Sequence, residues 1–177
     1  MATLAAMTAL VGVAGPERAA AAIPWGAGCT SLPPSGQRTS STCGATLVDG
    51  HAIAPPNAPA LVKQVIAAAN RIDGRPYVWG GGHAGWRARG YDCSGAVGYA
   101  LHGAGLLDVT MVSGQLATWG AAGVGRWITV YANAGHAFAV IAGLSWDTVG
   151  DVSGTGPRWH TTTESTAGFI ARHPDGY

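Results

Sequence analysis

A lone cysteine, Cys93, stands where a glycine-rich and aromatic loop meets an apolar helical pattern. The residues around it are Tyr91-Asp92-Cys93-Ser94-Gly95. Apolar residues recur after it at helical spacing, so Cys93 is expected in the first turn of a helix, with Asp92 as its N-cap. The free N–H groups and the positive dipole end of a helix favour a thiolate, which is the reactive form of the side chain. Cys93 is therefore a candidate nucleophile.

A thiol nucleophile needs a base, and the best placed candidate is His136, at the start of a predicted strand. Asp147 follows eleven residues later. A tight turn at 143–144 would put Asp147 on the neighbouring strand, where its carboxylate could orient the imidazole. Thr148 and His160 are weaker candidates for that place. The sequence thus predicts a catalytic set of Cys93, His136 and Asp147.

Helices and strands must position these groups. Apolar spacing predicts an amphipathic helix over 58–70, with Pro59 in its first turn, that covers the Cys93 helix. A short helix is expected over 114–119, capped by Ser113. Runs of β-branched and aromatic residues predict strands at 127–131, 137–141, 145–149 and 167–172. Helices followed by a meander of strands indicate an α+β domain, with helices packed on one face of an antiparallel sheet.

Length and charge limit the classes of function. The chain has 177 residues, of which 47% are hydrophobic, and this is enough for one core. We expect one catalytic domain at 58–177. The net charge is +1 with no basic run, which argues against a nucleic-acid partner. No zinc-type spacing is present, and four histidines are scattered without evident partners, so we expect no metal and no cofactor. They are His51, His83, His102 and His173.

The first 57 residues lack the pattern of a core. Residues 1–22 begin with a mostly apolar run and end in an alanine run, which is typical of a secretory signal, with a disordered alanine-rich tail as the alternative. The apolar run is too short for the roughly 20 residues of a membrane span. Residues 23–57 are rich in proline, serine and threonine and are expected to be an arm or linker. In an exported protein Cys29 and Cys43 are expected to pair with each other, although three cysteines allow three pairings.

Four motifs together resemble the NlpC-type cell-wall cysteine peptidases. They are Pro76-Tyr77-Val78-Trp79-Gly80-Gly81, Tyr91-Asp92-Cys93-Ser94-Gly95-Ala96-Val97, Ser113-Gly114-Gln115, and Gly135-His136 before an apolar strand. The resemblance covers roughly residues 58–172. It implies a circularly permuted papain-like α+β domain. It also implies a secreted peptidase that cleaves bonds in peptidoglycan stem peptides, typically between D-γ-glutamyl and a diamino acid.

The resemblance assigns roles to individual residues. Cys93 would be the nucleophile, His136 the base, and Asp147 would stand where the family usually has His, Asn or Gln. The resemblance implies that Tyr77 lies beside the thiol and that the residues gripping substrate are Tyr77, Asp92 and Ser94, to which we add Trp79 of the same motif. The backbone N–H of Cys93 would be one oxyanion donor.

The implied partner is a peptidoglycan stem peptide, and we expect a monomer that is secreted or associated with a bacterial cell wall. Two alternatives stay open. One is another cysteine amidase or acyltransferase on the same fold. The other is a wall-binding module without catalysis, in which exposed tryptophans form a sugar-stacking surface. Those tryptophans would be Trp79, Trp86, Trp119 and Trp159. The retention of a complete catalytic set favours an enzyme.

Export predicts the state of the three cysteines. We expect Cys29 joined to Cys43 and Cys93 as a free thiol, because an oxidising compartment closes a spare pair while the reactive thiol must stay reduced. Peptide mapping of non-reduced protein from culture supernatant measures this. Finding Cys93 bridged to either of the other two would contradict the expected arrangement.

Overall fold

The computed structural model describes residues 44–149, 156–161 and 165–177. The expected export segment, most of the expected arm, and Cys29 and Cys43 lie outside these ranges. The helices are α1 (Ala60–Ile72), α2 (Cys93–His102) and α3 (Ser113–Leu116). The strands are β1 (Thr46–Val48), β2 (His51–Ile53), β3 (Ala121–Ala122), β4 (Ile128–Ala132), β5 (Ala137–Ile141), β6 (Leu144–Asp147), β7 (Arg158–His160) and β8 (Ile170–His173).

A six-stranded antiparallel sheet forms one layer, in the order β3-β8-β4-β5-β6-β7. The predicted strands correspond to β4, β5, β6 and β8, so the expected α+β class is confirmed. The simple meander is wrong beyond β6. The short strand β7, which the sequence did not predict, adds to the outside of β6, and β8 returns to pair with β4. The predicted fourth strand begins only at Ile170.

The turn between β5 and β6 lies one residue earlier than predicted. It consists of Ala142 and Gly143, whose φ angles are 47° and 87°, and Leu144 already pairs with Ile141. Two successive residues with positive φ are typical of a type I′ turn, whose twist matches that of the strands it joins. The resulting register pairs Ala139 with Trp146. In the same register, Asp147 lies opposite Phe138, the second residue of β5.

The core lies between this sheet and the helices α1 and α2. The buried face of α1 packs on α2, as predicted, and the two helices approach so closely that a Cβ on Gly103 would collide with Ala68. Two tryptophans fasten the helices to the sheet. The indole N–H of Trp146 donates to the carbonyl of Ala96 in α2 at 3.1 Å, and that of Trp159 donates to Asn70 in α1 at 2.8 Å. No helix in the described ranges is long and apolar enough to span a membrane.

Local predictions at the helix starts and in the arm differ from the structure. Pro59 is the N-cap residue of α1 and does not lie in its first turn. Ser113 is the first residue of α3, not its cap; the cap position is Val112, whose N–H donates to the Gln115 side chain at 3.0 Å. Ser113 instead donates to the carbonyl of Ala134 at 3.3 Å. In addition, the end of the expected arm forms the hairpin β1–β2, which the sequence did not predict.

Asn70 joins three separate parts of the fold. Its amide pairs with both backbone groups of Ala52 in β2, at 3.1 and 2.9 Å, and it also accepts from Trp159 in β7. A hydrogen bond contributes about 1 kcal/mol net, and a partner left unpaired adds its desolvation cost. We therefore expect Asn70→Ala to lower the free energy of unfolding by about 2 to 3 kcal/mol.

Urea denaturation measures this change. Gln64→Ala is the matched control, because Gln64 is an exposed polar residue on the same helix, and its effect should stay within about 0.5 kcal/mol. Equal and small losses in both variants would contradict the linking role of Asn70.

Candidate active site

The thiol lies at the start of a helix. Cys93 is the first residue of α2 and is buried, with 8% of its surface exposed. The N-cap is Asp92, whose Oδ1 accepts the N–H of Gly95 at 2.7 Å. Cys93 is a free cysteine, and the helix terminus places it next to backbone N–H groups that have no partner within the helix.

A glycine-rich loop is held against this helix terminus. The N–H of Gly80 donates to Asp92 Oδ2 at 3.1 Å, and the N–H of Asp92 donates to the carbonyl of Gly81 at 3.2 Å. A Cβ on Gly95 would collide with that same carbonyl, so glycine is required there by the close approach of the two backbones. The pairing of Tyr77 with Tyr91 continues the contact.

The imidazole of His136 is anchored by a buried carboxylate. Its Nε2 lies 2.9 Å from Asp147 Oδ1 and 3.2 Å from Oδ2, and the Asp147 side chain has no exposed surface. Asp147 Oδ1 also accepts the N–H of Thr148 at 2.6 Å. The turn before His136 is fixed by Asn133, whose side chain accepts the N–H groups of Gly135 and His136, each at 2.9 Å.

The charge on His136 follows from its neighbours. The hydrogen bond to Asp147, and then the one to Cys93, raise the pKa of His136 to about 10, against the opposing effect of burial. Since Nε2 is occupied by Asp147, the other ring nitrogen, Nδ1, is left for the thiol. The imidazole is therefore protonated at neutral pH and can deliver a proton at the position of Cys93.

The expected substrate-binding residues lie around the same helix terminus. Burial raises the pKa of Tyr77, and the nearby Cys93 and Asp92 raise it further, so the phenol lies beside both groups. Ser94 Oγ donates to Asp92 Oδ1 at 3.2 Å. Trp79, on the same loop as Tyr77, is 85% exposed. The structure thus brings together six of the seven predicted residues and leaves Trp79 on the adjoining surface.

The weaker candidates for the third catalytic position lie elsewhere. Thr148 contacts Asp147 through its backbone, and its side-chain oxygen is buried. His160 lies on β7, where it pairs with Ser145 of β6. The hydrogen bonds to His136 therefore favour Asp147.

The four histidines described as scattered do have partners, so that part of the sequence interpretation is wrong. His83 Nε2 lies 3.0 Å from Asp92 Oδ1, and the His102 ring stacks on Trp86 with centroids 3.9 Å apart. His51 lies 3.9 Å from Asp73, and His173 contacts the carbonyl of Pro174. Within the described ranges, no three potential ligands are grouped so that they could hold a metal.

The suggested tryptophan surface is also wrong. Trp159 is buried against Trp146, with ring centroids 4.9 Å apart, and Trp86 is covered on one face by His102. Trp119 is half-buried. Trp79 is the one member of the set that is largely exposed, so the four do not form a common stacking face.

The described chain is thus an α+β domain in which a thiol, an imidazole and a carboxylate are hydrogen-bonded in series. Its structure is similar to that of the peptidoglycan hydrolase RipB from Mycobacterium tuberculosis, with a TM-score of 0.53 and 26% identity over 71% of this chain and 70% of that one. The structural neighbour agrees with the family resemblance drawn from the motifs.

Two structures of substituted forms of the resuscitation-promoting-factor-interacting protein RipA are less similar. Their TM-scores are 0.48 and 0.49 at 22% and 21% identity. They match 63% and 64% of this chain, which spans 61% and 62% of theirs. No protein-family model and no curated protein sequence matches the chain.

The raised pKa of His136 predicts its titration. We expect the ring to stay protonated until about pH 10, and Asp147→Asn to lower that midpoint, because the amide removes the charge that stabilises the imidazolium. Since the folded-state pKa lies above the ordinary 6.5, the associated stability is complete below pH 6.5 and is lost as pH rises towards 10.

Ring resonances of His136 in NMR spectra measure the midpoint directly. Asp175→Asn, which removes an exposed carboxylate, is the control and should leave the midpoint unchanged. A midpoint near 6.5 in the unsubstituted protein would contradict the strong coupling to Asp147.

Proposed function

We propose that this chain is a secreted cysteine peptidase of the cell wall that hydrolyses peptide bonds in peptidoglycan stem peptides, of the D-γ-glutamyl–diamino acid type. The observation that carries the proposal is the hydrogen-bonded series Cys93, His136, Asp147 at a helix N-terminus. The similarity in fold to RipB, a peptidoglycan hydrolase, supports a cell-wall hydrolase. The motif resemblance supports the cysteine chemistry and a circularly permuted papain-like fold.

In the proposed reaction, the Cys93 thiolate attacks the carbonyl carbon of the scissile amide, and the negative charge moves to the carbonyl oxygen. The N–H of Cys93 is one donor to that oxygen. His136 then protonates the leaving amine, and the acyl group stays on sulfur as a thioester. The neutral imidazole next takes a proton from water, which attacks the thioester. The acyl group leaves as a carboxylic acid, and the thiolate and the imidazolium are restored.

Asp147 acts on this reaction through His136. A buried carboxylate that accepts from Nε2 keeps Nδ1 directed at the thiol and stabilises the imidazolium that each proton transfer requires. A free-standing imidazole would have to be oriented at the moment of reaction, at an entropic cost. Asp147 is therefore a positioning residue, whereas Cys93 and His136 touch the reacting atoms.

The polar groups beside the thiol suit a peptide substrate. The phenol of Tyr77, the hydroxyl of Ser94 and the carboxylate of Asp92 offer hydrogen-bonding groups, and Trp79 offers an exposed ring on the same loop. We assign these four residues to substrate binding. The proposed substrate is the stem peptide, and the proposed active form is a monomer that uses no cofactor.

The proposal also covers the segments outside the described residues. Residues 1–22 act as an export signal, 23–57 as an arm stabilised by a Cys29–Cys43 disulfide, and 58–177 as the catalytic domain. The β1–β2 hairpin at the end of the arm packs on α1 through Asn70, so the arm and the catalytic domain are joined.

A second candidate function is another cysteine amidase on the same fold. It is favoured by one feature, the aspartate at 147, where the family usually has His, Asn or Gln. Both functions use the same thiol chemistry and differ in the amide that is cleaved. A binding module without catalysis is disfavoured, because binding a wall polymer does not require a thiol that is hydrogen-bonded to an imidazolium.

Turnover of purified muropeptides, followed by mass spectrometry, tests the proposal. We expect Cys93→Ala to abolish cleavage, and Asp147→Ala to lower kcat about a hundredfold or more because the imidazole loses its orienting partner. Asp147→Asn should retain more activity than Asp147→Ala, since the amide oxygen can still accept from Nε2.

His160→Ala is the matched control, because His160 was the competing candidate, whereas the carboxylate hydrogen-bonded to His136 is that of Asp147. Its kcat should remain within a few-fold of that of the unsubstituted protein. A large loss at His160 with none at Asp147 would overturn the proposed third member. Cleavage of simple amides but not of muropeptides would favour the second candidate function.

A further inference from the structure

His83 has no role in the proposed mechanism, and it forms a polar cluster with two of the residues assigned to substrate binding. Its Nε2 lies 3.0 Å from Asp92 Oδ1 and 3.2 Å from Ser94 Oγ, the two residues that flank Cys93. The side chains of His83 and Asp92 are 19% and 12% exposed, so the cluster lies just beneath the surface next to the nucleophile.

The neighbours of His83 fix its tautomer. The Asp92 carboxylate can only accept a hydrogen bond, and the single hydroxyl proton of Ser94 is already directed at Asp92 Oδ1. Ser94 Oγ therefore also faces Nε2 as an acceptor. Both partners require a proton on Nε2, so the imidazole donates to them together.

The imidazole of His83 is not needed to cap the helix or to hold the loop. Asp92 already accepts the N–H of Gly95 on Oδ1 and that of Gly80 on Oδ2, which cap α2 and hold the loop. The backbone of His83 has its own supports, because its carbonyl accepts from Thr110 Oγ1 at 3.1 Å and its N–H donates to Gly80 at 3.4 Å. Removing the imidazole would therefore leave the helix and the loop in place.

What the imidazole adds is a fixed arrangement of two side chains. With Nε2–H in place, the Ser94 hydroxyl is held between His83 and Asp92, and its rotamer is set. Without it, Ser94 Oγ loses one of its partners, and Asp92 Oδ1 loses the donor that comes from the loop. When a ligand has to order the side chains that bind it, the entropic cost of that ordering lowers the affinity.

We propose that His83 is a positioning residue for substrate: it holds Asp92 and Ser94 in the arrangement that receives the stem peptide beside Cys93. The proposal rests on the proposed function, and it concerns binding rather than chemistry. The proton transfers belong to His136, which is held by separate contacts to Asn133 and Asp147. Loss of His83 should therefore raise KM and leave kcat nearly unchanged.

Two substitutions separate the donor from the rest of the ring. His83→Ala removes the donor, and we expect KM for a muropeptide to rise about tenfold or more, as for the loss of a hydrogen bond to a charged group. His83→Gln places an amide N–H₂ near the position of Nε2, and KM should return to within about threefold of the parent value. His51→Ala is the control for loss of an exposed histidine and should match the parent.

The substitutions at His83 are also made in protein that carries Cys93→Ala, and calorimetry measures the dissociation constant of the muropeptide. Agreement between the changes in dissociation constant and in KM shows that KM reports binding. Long-range proton–nitrogen NMR spectra of the unliganded protein test the tautomer independently of any activity. We expect a proton on Nε2 of His83. An unprotonated Nε2 would overturn the proposal.

The outcomes separate this inference from the function on which it rests. A parent that cleaves no muropeptide overturns the proposed function and this inference with it. If the parent protein cleaves muropeptides and His83→Ala has the same KM as the parent, this inference alone is overturned. A fall in kcat without a change in KM, or failure of His83→Gln to restore KM, also contradicts the positioning role.

Discussion

The buried hydrogen bond between Asp147 and His136 is the interaction on which the site depends. A carboxylate with no exposed surface is costly unless it is paired, and here the imidazole and a backbone N–H meet that need. The same carboxylate, together with the thiol, raises the pKa of His136 to about 10. The type I′ turn at Ala142 makes this pairing possible, because it sets the register of the two strands that carry the groups.

Asp92 positions the Cys93 thiol as Asp147 positions the His136 imidazole. It caps α2, which positions Cys93, and it accepts from Gly80, which holds the loop bearing Tyr77 beside the thiol. Trp146 then fixes the first turn of that helix to β6, the strand that ends in Asp147. Cys93 and Asp147 thus lie on two elements that are joined by a buried hydrogen bond, and His136, at the end of the turn that Asn133 fixes, is held by Asp147.

The sequence predicted best what is decided by local chemistry. The start of α2, the cap at Asp92 and the main strands follow from side-chain types at short spacing. The turn was misplaced because Ala142 adopts a positive φ that non-glycine residues seldom take. The pairing of β8 with β4 depends on how distant segments meet, and no local pattern encodes that. The contact of His83 with Asp92 joins residues nine apart, but it depends on the irregular course of the loop between them, which has no periodic sequence pattern. The β1–β2 hairpin was missed for a similar reason, since it is stabilised by Asn70 in another element.

The central claim is that Cys93 carries the acyl group of the substrate during turnover. Rapid quenching of a muropeptide reaction in acid, followed by peptide mapping, measures this directly. The account predicts a peptide containing Cys93 whose mass is increased by the acyl part of the cleaved muropeptide, and loss of that mass on treatment with hydroxylamine. Turnover that persists in Cys93→Ala, with no such adduct in the parent, would contradict it.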